Sequence, residues 1–134
     1  LKKDSGDQLY AEKKMKKISS IKNNLDFKTV YRKRRSKANK YFVMYVLENH
    51  LEHNRLGISV SKKVGNSVVR HRLTRLIRES MRLHGDMFNS GLDIVVVARA
   101  SANPPKDSEE KPLKCADVDR ALLHLAKLHK ILSD

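Results

Sequence analysis

The sequence predicts an α+β fold, a single layer of sheet packed by helices, on three observations. The run YFVMYVL near 40–48 has no polar face, so both sides of that strand must be covered. Residues 68–84 place apolar and basic side chains at helical spacing. The elements then follow in the order α-β-β-α-β-α, which asks for an antiparallel pair at the first hairpin and a βαβ crossover after it. At 134 residues and 40% apolar composition, the chain suffices for one domain with a modest core and not for two.

Residues 1–18 are polar and lysine-rich, with little to bury, and read as a basic, disordered arm. The folded domain should run over 19–131, leaving 132–134 as a tail. Its first helix is expected at 24–34, with Asn24 as N-cap and Asp26 at the positive end of the helix. On the strand at 40–48, Tyr41, Val43, Tyr45 and Leu47 fall on one face and Phe42, Met44 and Val46 on the other. A polar connection, NHLEHN, leads to a second strand, Leu56 to Ser61. The turn KKVGNS opens the helix at 68–84, and Gly85–Asp86 ends it. After Gly91 comes an apolar strand, Leu92 to Ala98. Residues 101–115 hold all three prolines and no periodicity, so they read as a loop. A last helix, 116–131, turns Val118, Leu122, Leu125, Ala126 and Leu128 to the core.

Charge narrows the function. Lysine and arginine number 29 against 15 acids, a net +14. Residues 13–40 carry +11 and residues 62–84 carry +6, while the rest sums to −3. A surface that only kept the chain dissolved would mix its signs; two like-charged blocks point to a polyanion. No run of 18 apolar residues and no signal-peptide pattern occurs, and the single Cys115 suits a reducing cytoplasm.

Projected at ~100° per residue, the helix at 68–84 places His71, Arg72, Arg78 and Arg82 within roughly 60° of Arg75. Leu73, Leu76, Ile77, Met81 and Leu83 fill the opposite arc, and Arg70 falls off the basic stripe. Guanidinium forks grip phosphate oxygens bidentately, and Glu79 alone offers an acidic partner on this helix. The turn at Gly65–Asn66 lacks the pattern of a nucleotide-binding P-loop. The six histidines and the cysteine show no zinc spacing, and the basic blocks contain only Asp26 and Glu79 as acids. That composition suits a nucleic-acid binder better than a protein nuclease. A DNA reader would want Asn or Gln on the arginine face, and a membrane-surface role is weakened by the core-facing side of the same helix.

Residues 55–79, RLGISVSKKVGNSVVRHRLTRLIRE, closely resemble the signature region of the bacterial ribonuclease P protein component. The stretch NNLDFKTVYRKRRSKANKYFVMYVL is similar to that family's first helix and strand, and DIVVVARASA and the leucine-rich last helix follow in its order. The resemblance spans roughly residues 19–131. Three departures stand out: His71 in place of the usual Asn between two arginines, Lys33–Arg34–Arg35 where a glycine is common, and a longer insertion at 103–115.

The resemblance implies a single-domain α/β sandwich with a left-handed βαβ crossover, like the second domain of ribosomal protein S5. It implies two partners, a catalytic RNA and precursor tRNA, with no membrane and no obligate protein partner. Together they remove the tRNA 5′ leader with magnesium, Mg2+ being bound mainly by the RNA, which also carries the active site; the protein supplies no catalytic residue and no metal ligand. Carried over by position, Lys62, Lys63, Arg70, His71, Arg72, Arg75 and Arg78, joined by Arg82 from the projection, would contact the catalytic RNA. Phe27, Tyr31, Phe42 and Tyr45, with Lys40, would line a cleft for the single-stranded leader. By burial tendency alone Phe27 and Phe42 suit a core, whereas the hydroxyls of Tyr31 and Tyr45 favour partial exposure. The competing reading is a ribosomal-protein-type binder of structured RNA without a part in cleavage.

Overall fold

The computed structural model describes residues 18–133. Five strands and three α-helices follow in the order β1 (Ile18–Ser20), α1 (Asn24–Arg32), β2 (Ser36–Ala38), β3 (Phe42–Glu48), β4 (Asn54–Ser59), α2 (Ser67–Leu83), β5 (Leu92–Ala98) and α3 (Cys115–His129). The predicted N-terminal arm lies outside the described residues except for Ile18, which opens β1. Among the described residues no helix is long and apolar enough to cross a membrane.

The sheet order is β1-β4-β5-β3-β2, with β1, β4 and β5 mutually parallel and β3 antiparallel to both β5 and β2. β4 and β5 are parallel neighbours joined through α2, the βαβ connection expected from the order of elements. The expected antiparallel pairing of the first two long strands does not form: β5 lies between β3 and β4. Nearly every residue of β5 is buried, so this strand needs cover on both faces and partners on both edges, and it takes the centre. The 49–53 connection instead arches over the start of β5. There the Asn49 N–H donates to the Gly91 carbonyl (2.9 Å), and a Cβ on Gly91 would sit 3.1 Å from the Leu51 carbonyl oxygen. Gly91 also holds φ at +79°, so glycine is required at this crossing.

Local boundaries differ slightly from expectation. Asn23, not Asn24, caps α1, its Oδ1 accepting the Asp26 N–H at 2.8 Å. The helix ends at Arg32, and Arg34 takes the left-handed conformation (φ 54°) where a glycine would cost less. Asn66 caps α2 in the same manner, accepting from the Val69 N–H.

Alternation along the strands splits the core in two. One face carries Phe42, Met44, Val46, Ile94 and Val96 against Leu73, Leu76, Ile77 and Met81 of α2 and Val118, Leu122, Leu125 and Ala126 of α3. Leu83 and Leu128, expected inside, are exposed, while His129 and Ile131 turn inward at the end of α3. Among the described residues the other face is covered only by the short α1, and its buried cluster is Ile21, Val30 and Val95.

Candidate nucleic-acid interface

The thinly covered face carries the aromatic group. Phe27 and Tyr31 stand one turn apart on α1 with ring centroids 6.3 Å apart. Tyr31 meets Tyr45 of β3 edge-on, at 4.9 Å and 80°. All three rings remain partly exposed. Phe27 can lie flat here because β4 has glycine beneath it: a Cβ on Gly57 would come within 2.6 Å of the Phe27 ring. Burial raises the Tyr31 hydroxyl above its ordinary pKa, more than its hydrogen bond with Ser59 lowers it, and Tyr45 adds a smaller upward push. The phenol therefore stays neutral and puts no negative charge on this surface.

An ion-pair network fixes this arrangement. Asp93 is the one acid in the apolar β5, and β4 places Arg55 opposite it in register. Arg55 grips it through Nε (2.8 Å) and Nη2 (2.6 Å), and its Nη1 reaches Asp26 of α1 at 3.1 Å. The bond to Asp93, outweighing burial, drives the Arg55 pKa up, so the guanidinium is permanently charged. Asn49 Nδ2 donates to Asp93 as well (2.9 Å). The N-terminal turn of α1 is thereby tied to the sheet one residue before Phe27. Sequence reasoning passed over Arg55 and Asp93, although a carboxylate inside an apolar strand demands a cationic partner.

Two expected cleft residues lie elsewhere. Phe42 is fully buried on the α2–α3 face and cannot join Tyr45. The two are three apart on one strand, and an odd spacing sends them to opposite faces. Lys40 is held by Glu110 of the proline-rich loop (2.8 Å), with its ammonium 5.4 Å from the Tyr41 ring. Around the aromatic group, Lys28, Arg32 and Arg34 are exposed, which gives this part of the first basic block a solvent-facing role.

The second block forms the outer side of α2 and the turn before it. Lys62, Lys63, His71, Arg75, Arg78 and Arg82 are exposed. Arg75 lies a loose 3.9 Å from Glu79, and both are about 60% exposed, so this pair restrains the guanidinium little. Arg70 and Arg72 differ from the rest. Arg70 is half-buried, as its place off the basic stripe implies, with its Nε out of solvent and without a hydrogen-bond partner among the described residues. Arg72 is half-buried and donates through Nη2 to the Leu113 carbonyl. At the other end of the loop, Asn103 Nδ2 donates to the Val64 carbonyl (2.8 Å). The 101–115 segment is thus a loop strapped to the turn before α2 at one end and to α2 itself at the other.

Comparison with known proteins agrees with this architecture. The family model "Ribonuclease P" matches residues 15–121. The ribonuclease P protein component of Lachnoclostridium phytofermentans is 60% identical over 114 residues, covering 85% of this chain and 91% of that protein. That of Alkaliphilus metalliredigens is 44% identical over 119 residues, covering 89% and 100%. Among solved structures, the Staphylococcus aureus RNase P protein superposes with a TM-score of 0.74 at 37% identity, covering 87% of this chain and all of that one. The Thermotoga maritima protein gives 0.71 at 30% identity, covering 82% and 96%. A match of this extent in both sequence and structure places the chain in the ribonuclease P protein family.

Proposed function

We propose that this protein is the protein component of a ribonuclease P ribonucleoprotein, in which it promotes removal of the 5′ leader from precursor tRNA while its RNA partner breaks the bond. Beyond family membership, the observation that carries this reading is the division of one small domain into two unlike surfaces. The outer side of α2 and the turn before it offer guanidinium and ammonium groups with almost no acid among them. Such a surface binds folded RNA through phosphates, by releasing counterions, and does not depend on base sequence. The Phe27–Tyr31–Tyr45 group offers ring surface inside a basic border, which suits unpaired bases. The leader is the single-stranded part of the substrate, so the aromatic face belongs to it and α2 to the catalytic RNA.

The protein's residues bind and orient. Arg55, Asp93 and Asp26 hold α1 at the height that presents Phe27 and Tyr31, and Gly57 keeps the ring of Phe27 down on the sheet. Magnesium, which prefers oxygen ligands and keeps several waters, is assigned in this reading to phosphates of the RNA.

Reconstitution tests the reading. The protein alone should leave precursor tRNA intact, and added to its cognate RNA it should lower the magnesium concentration needed for cleavage. Magnesium-dependent cleavage by RNA-free protein would overturn the assignment of chemistry to the RNA.

A further inference from the structure

All three prolines of the chain, Pro104, Pro105 and Pro112, line one cavity. It has a volume of about 510 Å³ and lies between the 101–115 loop and the first turns of α2. Val69 and Leu73 of α2 join Ala102 in its apolar wall, and Leu73 and Ala102 are buried. The loop is held in place from several sides. Proline rings fix the backbone φ, and the Arg72 and Asn103 hydrogen bonds tie the two ends. Between them, Lys40 grips Glu110 at 2.8 Å.

The charged groups in the lining are cationic in effect. Arg72 and Lys106 line the cavity, and neither has a carboxylate within ion-pair distance among the described residues. Glu110 is the one acid in the lining, and Lys40 neutralises it; Asp107 and Glu109 lie outside. The cavity also adjoins the basic side of α2: His71 and Arg75, next to Arg72 along the helix, are exposed. Val68, beside Val69, is 74% exposed, an apolar side chain on the same turn.

A surface that held phosphates alone would need no apolar cavity; a base would. The volume falls within the ~300–1,000 Å³ range of small-molecule sites and accommodates one nucleotide. Bases inside an A-form helix are stacked and paired, so only an unpaired one can enter. A guanidinium plane stacks on such a base, and apolar rings cover it.

We infer that the proline-rich loop and α2 together form a pocket for one unpaired nucleotide of the catalytic RNA, with its base among Pro104, Pro105, Val69 and Arg72 and its phosphate toward Lys106. The inference rests on the reading of α2 as the face for the catalytic RNA.

The test uses the full chain bound to its cognate catalytic RNA. Wild-type protein should protect one unpaired base from base-modifying reagents, and an abasic nucleotide at that position should weaken binding about five- to tenfold. Pro105→Trp, at an exposed position in the lining, should fill the cavity and remove both effects, with the salt slope unchanged because no charge is lost. Protection that persists in Pro105→Trp, or an abasic penalty of the same size in both proteins, would overturn the inference. Arg75→Ala separates it from its premise. If Arg75→Ala leaves RNA affinity and salt slope unchanged, the reading of α2 fails; if it weakens binding while Pro105→Trp leaves the protected base protected, only the pocket assignment fails. A second measurement needs no variant: 4-thiouridine placed singly at the unpaired positions of the catalytic RNA should crosslink, from one position, to residues 103–112. Crosslinks that avoid that segment from every position would also overturn it.

Discussion

The two faces of the sheet are made from alternate residues of the same strands and meet different fates. On the α2–α3 side, Phe42, Met44, Val46, Ile94 and Val96 disappear under two long helices. On the α1 side, a nine-residue helix covers part of the sheet and leaves Phe27, Tyr31, Tyr45 and Val97 half-buried. Aromatic area that could have been sealed by a longer helix is kept open, and what holds it in place is a small core of Ile21, Val30 and Val95 together with an ion-pair network. Stability and recognition are therefore separable by face, and substitutions can be chosen to break or sharpen that separation.

The largest effect belongs to the closed face. Leu122→Ala, at 1% exposure, should cost ~2–5 kcal/mol in denaturant unfolding. Any loss of precursor binding it causes should vanish under conditions where the variant is folded. Next comes the network: Arg55→Ala strands the Asp93 carboxylate and should cost ~2–3 kcal/mol, less than the ~3–5 kcal/mol of a fully buried pair because a quarter of the Arg55 side chain meets solvent. Pairing it with Asp93→Leu should restore much of the stability, while leaving α1 less firmly tied. Leader affinity that stays low in this stable double variant would identify the network as a positioning device; full recovery would contradict that role.

On the open face, Tyr45→Ala should change unfolding free energy little and lower affinity for leader-bearing precursor by ~1–3 kcal/mol, with mature tRNA unaffected. Equal losses for both substrates would return Tyr45 to packing. The smallest effect is a pH dependence on the closed face. Burial, aided by Arg35 and Lys37, lowers the pKa of His129 in the folded protein, against an upward pull from its hydrogen bond to the Met44 carbonyl. The unfolded chain then binds the proton more readily, so this group's contribution to stability declines as pH falls through about 6.5, its unfolded-state value. His129→Gln should flatten the stability profile below that pH in chemical denaturation.

Much of this was legible in the sequence. Apolar periodicity located both long helices and the three long strands within about two residues, because each carries enough apolar side chains to show its period. β1 and β2 were invisible, since ISS and SKA are three-residue edge strands with no pattern of their own. Sheet order was misread because a short connection between two strands resembles a hairpin; the two-sided burial of β5 decides the pairing, and that is a property of the whole sheet. The projection of α2 separated Arg70 from the basic stripe but could not foresee that Arg72, on the stripe, would be taken by the Leu113 carbonyl of a loop, 41 residues on. Phe42 is the instructive miss. Strand alternation alone sets it opposite Tyr45, and that local rule outranks a positional carry-over from relatives.

The central claim is that α2 and the aromatic face serve different RNAs, and one experiment addresses it most directly. Holoenzyme is assembled with Arg75→Ala protein and, separately, with Tyr45→Ala protein. Affinity for the catalytic RNA is measured against salt, and the ratio of precursor to mature tRNA affinity is measured at fixed salt. The arginine variant should bind the catalytic RNA more weakly, with a salt slope shallower by about one for each phosphate left without its guanidinium, and keep the precursor preference. Tyr45→Ala should keep the catalytic-RNA affinity and slope and lose preference for the leader. If both variants weaken both readouts alike, the two surfaces are one, and the account is wrong.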